Sequence, residues 1–165
     1  MCETAGSGAD EAIMNASSRA GTEDLIVQPR GVNAIVKMAV LEAHRRMKDP
    51  RCQEIFSDFK DASGSPLQNG LDSLGRTGQN YLAWILFVNG ELQRGCESSD
   101  VLAFTSPGSR IISFCGDRFT NRIKKRGLGT LAVVIIHEEL HSLGLGENPP
   151  TSLEITRRIE WRCGS

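Results

Sequence analysis

Residues 131–136, Leu-Ala-Val-Val-Ile-Ile, run without a break into residues 137–141, His-Glu-Glu-Leu-His. An apolar run that enters such a pentad predicts a buried helix carrying two imidazoles. On an α-helix, positions i and i+4 stack one turn apart, so His137 and His141 point the same way and can both reach one metal ion. Glu138 lies about 100° further round, within reach of a water beside that ion without ligating the ion itself. Zinc takes neutral nitrogen and anionic oxygen or sulfur ligands, and a catalytic site keeps one position open for water. A carboxylate next to that water can take its proton during attack on a carbonyl. The same five-residue pattern also occurs on ordinary helix surfaces; here the apolar run argues for a helix on the floor of a cleft.

The pentad is followed by Ser142-Leu143-Gly144-Leu145-Gly146-Glu147. Gly144 predicts a helix stop, because glycine readily takes the left-handed conformation that closes a helix. The chain can then turn back and present Glu147, ten residues after His137, to the same metal.

The stretch HEELHSLGLGE resembles the zincin metallopeptidases, and its HExxHxxGxxE spacing resembles their metzincin branch. That resemblance implies a zincin-like α+β domain, a Zn2+ cofactor held by His137, His141 and Glu147, and Glu138 as general base. Metzincins usually carry histidine where Glu147 stands, and a carboxylate is a sound ligand there. They also carry a methionine turn downstream of the motif, whereas Met1, Met14, Met38 and Met47 all precede it. The likeness is therefore to a minimal zincin, and the third ligand stays open.

Three residues rival Glu147. Glu154 follows Asn148-Pro149-Pro150 and Thr151, which reads as a helix start with Thr151 as N-cap and Glu154 as the capping-box carboxylate. A glutamate on the following helix is nonetheless the ligand arrangement of the gluzincin branch, and Glu160 lies on that helix too. Cys96, 41 residues before His137, resembles the cysteine ligand of peptide deformylases, although the GxGLAAxQ segment of those enzymes is missing.

At 165 residues the chain is long enough for one core and one domain. Charged residues make up 24% and the net charge is −1, which gives no reason to expect nucleic acid or an anionic membrane as partner. No stretch is long and apolar enough to cross a bilayer. A monomer acting on a peptide or protein substrate is the expectation. The five cysteines, Cys2, Cys52, Cys96, Cys115 and Cys163, form no CxxC pair. Setting Cys2 aside leaves four, which are either two disulfides or buried thiols; the polar surroundings RCQE and RGCES favour disulfides. Cys96 with Cys115 is the simplest pairing, since a hairpin between them brings the chain back. Disulfides place the protein outside the cytoplasm, whether secreted, periplasmic or lipid-anchored. Cys2 with small polar residues after it also resembles the start of a mature bacterial lipoprotein.

Residues 1–23 read as a flexible lead-in, followed by the zincin-like domain over 24–165. A short strand is expected at 24–28, and an amphipathic helix from Val32 to Met47 on the spacing of Ile35, Val36, Ala39, Val40 and Ala43. His44 on that helix reads as a surface histidine. Arg51 to Arg76 reads as short helices broken at Gly64, Pro66 and Gly70. A strand is expected over Tyr81–Val88, ending at Asn89-Gly90. A hairpin is expected from Val101–Thr105 and Arg110–Cys115 around Ser106-Pro107-Gly108-Ser109. Lys124-Lys125-Arg126 reads as a solvated loop, Arg157, Arg158 and Arg162 as solvent-facing, Glu139 as a solvent-facing helix residue, and Tyr81 as core packing. The expected sheet is twisted and mixed, packed on the long helix and the HExxH helix. The zincin likeness implies that one strand within Val101–Cys115 borders the cleft and pairs with extended peptide.

The sequence thus points to a zinc peptidase. The alternative from another class is a non-catalytic, zincin-shaped binding or structural module, with a deformylase-like amidase behind both.

Overall fold

The computed structural model describes residues 33–164; the lead-in, the strand expected at 24–28 and Cys2 lie outside them. Helix α1 spans Ala34–Arg46, and the Asn33 side chain caps it by accepting from the Val36 N–H at 3.0 Å. Val36, Ala39, Val40 and Ala43 form its buried stripe, as the spacing requires. Two single-turn helices follow, α2 (Pro50–Gln53) and α3 (Ile55–Asp58). Asp49 caps α2, and Pro50 sits in the first turn, where its missing N–H costs nothing.

Helix α4 spans Leu67–Ser73 and runs straight through Gly70, so the break expected there is absent. The chain reverses earlier, where the Asp61 carboxylate accepts from the N–H groups of Ser63 and Ser65. Helix α5 (Gly78–Leu82) corrects a second expectation, the strand over Tyr81–Val88. Thr77 caps α5 by accepting from the Asn80 N–H at 3.2 Å, and that cap commits Tyr81 and Leu82 to helix. Only Leu86–Asn89 remains as strand β1, with Asn89 holding the turn that follows it through the Glu91 N–H.

A 3-10 turn at Arg94–Cys96 leads to strands β2 (Ala103–Phe104) and β3 (Ile111–Phe114). They form the expected antiparallel hairpin, pairing Ala103 with Phe114 and Phe104 with Ser113. β3 also pairs parallel with β1, Leu86 opposite Ile111, so the sheet is mixed with the order β1-β3-β2. β2 is an edge strand among the described residues.

Helix α6 (Gly116–Arg126) ends in Lys124, Lys125 and Arg126, which are its last turn and not a loop. Cations there complement the negative end of the helix dipole. Gly127, at φ +83°, separates α6 from α7 (Leu128–Ser142), and α8 (Ser152–Cys163) closes the described chain. α7 runs through the middle of the molecule against α1, α6, α8 and strands β2 and β3. Its buried Leu131, Ala132, Ile135, Ile136 and Leu140 share one core with Val40, Phe114 and Ile159. The architecture is α+β, mainly helical, with a small sheet on one side of α7.

Two disulfides fasten this arrangement. Cys96–Cys115 is the pair expected across the hairpin, and Cys52–Cys163 ties α2 to the end of α8 across 111 residues. Closing a loop of that size removes about 4–5 kcal/mol of chain entropy from the unfolded state on the loop-length scale. Arg162 does not simply face solvent: it pairs with Asp58 at 2.8 Å and with Glu54, beside the Cys52–Cys163 link. No described helix is long and apolar enough to cross a membrane.

Candidate metal centre

The last two turns of α7 carry His137 and His141, both about nine-tenths buried. The helix ends in a Schellman motif. The Leu145 N–H donates to the Leu140 carbonyl at 3.1 Å, and the Gly144 N–H to the His141 carbonyl at 2.9 Å. Gly144 sits at φ +110°, a conformation costly for any residue with a Cβ. Leu145 is buried beneath the turn, and the chain that emerges brings Glu147 back over the histidines.

One ligand atom from each of His137, His141 and Glu147 lies within 4.8 Å of the other two. Glu147 Oε1 stands 3.2 Å from His141 Nε2 and 3.5 Å from His137 Nε2. The remaining ring nitrogens are tied back: His141 Nδ1 lies 2.7 Å from the Leu145 carbonyl, and His137 Nδ1 lies 3.3 Å from Thr156 Oγ1. A carbonyl only accepts, so His141 Nδ1 donates to it and Nε2 is the ring nitrogen that faces Glu147. Ring nitrogens and a carboxylate oxygen converging in this way suit a cation. Tetrahedral zinc with ligands at ~2.0–2.2 Å would hold them about 3.3–3.6 Å apart; both distances to Glu147 lie close to that range, and the whole group, which spans up to 4.8 Å, would draw in slightly around an ion. Burial and the neighbouring His141 push His137 down to about 4, so it is neutral and able to ligate at pH 7.

Glu138 is buried beside the two histidines, with the Thr105 backbone N–H, just past the end of β2, next to its carboxyl group. Burial, and then the Glu147 carboxylate, raise it to about 8, against the opposing effect of that N–H. Glu139 corrects the sequence reading. It is wholly buried on the core face of α7, neither carboxyl oxygen has a hydrogen-bond partner, and burial raises its pKa well above the carboxylate range. Burial without a partner favours the neutral form of such a group. Tyr81 is buried as expected, its hydroxyl 2.7 Å from Ser142 Oγ.

No family model matches the chain, and no curated protein or solved structure is similar to it. The reading of the site therefore rests on its residues. Among the rivals for the third position, Glu154 completes the capping box, accepting from the Thr151 N–H at 2.8 Å while the Thr151 hydroxyl accepts from its own. Cys96 has its sulfur in a disulfide. Glu160 is exposed on α8 and is not in the converging group. His44 is half-buried beside Gln79 and is not in that group either.

Two cavities flank the ligands, with Glu138 and Glu147 lining both, and the chain approaching and forming β2 borders each of them. A larger cavity, about 570 Å³, lies elsewhere, against Trp161 and Arg158 on α8. Sequence reasoning missed Thr156 and the Leu145 carbonyl, which orient the two imidazoles. The polar stripe Ser152-Thr156-Glu160, at i, i+4, i+8, was a readable sign that this face of α8 meets a polar site. A backbone carbonyl leaves no such sign.

This geometry makes the third position testable. Glu147→Ala is expected to weaken zinc affinity by at least the roughly 10- to 100-fold seen when supporting groups are lost. Glu154→Ala is expected to lower the melting temperature modestly while leaving the metal content unchanged. Zinc titration against a competing chelator checks both; zinc kept by the first variant and lost by the second would move the ligand onto α8.

Proposed function

We propose that the protein is a zinc-dependent peptidase of zincin type, with His137, His141 and Glu147 holding the metal and Glu138 serving as general base. One observation carries the reading: two Nε2 atoms and one carboxylate oxygen converge while both Nδ1 atoms are tied back. Two imidazoles and a carboxylate are a donor set that suits zinc. A zinc ion held there would acidify a water and polarise the scissile carbonyl. Glu147 is half-exposed, with 42% of its side chain accessible, so the ligand group opens towards a substrate instead of being sealed in the core.

Glu138 is placed for proton transfer. A cation held beside it would draw its proton affinity down from about 8, and the carboxylate would then take the proton of the attacking water and return it to the leaving amine. The residue lines the cavities on both sides of the ligand group, beside the Thr105 N–H. The outer edge of β2 supplies backbone donors and acceptors to which an extended peptide can pair, drawing the scissile bond across α7. Thr156 and the Leu145 carbonyl hold the imidazoles in one orientation.

The decisive experiment is cleavage of a diverse peptide library by zinc-loaded protein, read as new peptide termini by mass spectrometry. New termini are expected with the loaded protein and should vanish when chelator is added. A zinc-loaded protein that leaves the library intact would overturn the reading in favour of a non-catalytic metal module.

A further inference from the structure

The two cavities beside the ligands differ in a way that bears on substrate choice. The one on the His141 side, about 350 Å³, is walled by apolar groups, among them Ala103, Phe104, Pro107 and Leu145, and its charged members are those of the site itself. The one on the His137 side, about 310 Å³, is built differently. Its floor is a single face of α7, with Thr130, Val133 and Val134 leading to His137 at i, i+3, i+4 and i+7. Its second wall is the α8 stripe, on which Glu160 lies one turn, about 6 Å, beyond the Thr156 that touches His137. Its third wall is the chain leading into β2, where Asp100 stands.

Val133 and Val134 therefore offer an apolar floor, and Asp100 and Glu160 put two exposed carboxylates on the rim. Neither carboxylate has an ion-pair partner among the described residues, and no lysine or arginine lines the cavity. An apolar passage ending in free negative charge complements one kind of side chain, a long aliphatic stem with a cationic head. An acidic side chain would meet like charge there, and a short apolar one would leave the rim unused.

Resting on the peptidase reading above, we propose that this cavity is a pocket for lysine or arginine. The substrates are extended peptides with a basic residue on one side of the scissile bond and an apolar residue on the other. Asp100 and Glu160 determine that preference, and neither takes part in bond cleavage.

The test uses peptides identical except for lysine, norleucine or glutamate, placed in turn on either side of one bond whose other side carries leucine. With wild-type protein, kcat/KM for the lysine peptide should exceed that for norleucine by roughly three- to tenfold, the scale of two exposed ion pairs, with glutamate lowest. The double variant Asp100→Asn/Glu160→Gln should bring the lysine-to-norleucine ratio towards one, and a reversed Asp100→Lys/Glu160→Lys pair should favour glutamate. Zinc content measured on the same samples distinguishes altered preference from misfolding. Binding of the same peptides to the zinc-loaded Glu138→Gln protein, read by fluorescence anisotropy, separates the pocket from the chemistry. A lysine preference in binding with no hydrolysis by wild type keeps the pocket and refutes the peptidase. Hydrolysis without a lysine preference keeps the peptidase and refutes the pocket. Absence of both overturns the two together.

Discussion

Protein incubated with zinc and then dialysed against metal-free buffer is expected to retain about one zinc per chain, and His141→Ala to retain almost none. The expectation follows from how the site is assembled. His137 and His141 are fixed on a buried helix whose interior is close-packed, so neither can be replaced by a neighbouring side chain swinging in. Removing His141 also deprives the Leu145 carbonyl of its imidazole donor, so the turn that delivers Glu147 is loosened by the same change. Loss of a direct ligand should exceed the roughly 10- to 100-fold affinity loss typical of supporting groups. Metal analysis of the dialysed samples reads the outcome directly. Thermal unfolding gives a second reading: at a hundredfold excess of free zinc over Kd, binding stabilises the wild type by about 2.7 kcal/mol. His141→Ala should show no such rise. Wild-type protein that holds no zinc after incubation would remove the basis of the catalytic reading.

Glu138→Gln is expected to keep its zinc and its melting temperature while peptide hydrolysis falls by roughly 10²-fold or more. Glutamine preserves the size of the side chain and an oxygen that can accept from the Thr105 N–H, so the wall of the cleft is unchanged. Only the capacity to take and return a proton is lost, and general-base catalysis is worth about 10²–10⁴-fold. Burial of a carboxylate as deep as Glu138 is costly unless it is used or neutralised, so the amide is expected to be at least as stable as the acid. Single-turnover kinetics with metal-replete samples of both proteins settle the point. Equal rates would mean that another group carries the proton.

The site was more legible in the sequence than the fold around it. The approach of His137 to His141 follows from helical spacing alone, and that of Glu147 from its offset past a glycine, because local geometry fixes where those side chains can point. The capping role of Glu154 and the Cys96–Cys115 pair were likewise readable, each from a short-range pattern. Tyr81 and Leu82 were misread as strand because aromatic and aliphatic residues there satisfy either period. The hydroxyl of Thr77, four residues upstream, decided for helix. Glu139 was misread for a different reason. Its neighbours on the motif are polar, but α7 is enclosed by helices on several sides, and which face stays wet depends on tertiary packing that no local window contains. Arg162 was misread in the same way, since its partners Asp58 and Glu54 lie more than a hundred residues away.

The Cys52–Cys163 bond also bears on how the molecule withstands damage. It turns everything between α2 and the end of α8 into a covalent ring that contains the hairpin, both histidines, Glu147 and Thr156. A single backbone cut in any exposed turn of that ring, such as Ser106–Gly108 or Asn148–Pro149, leaves no loose fragment, because each new end stays attached through the sulfur link. A nicked molecule therefore retains all three ligand residues in one piece. That resistance to being dismembered is a property distinct from resistance to unfolding.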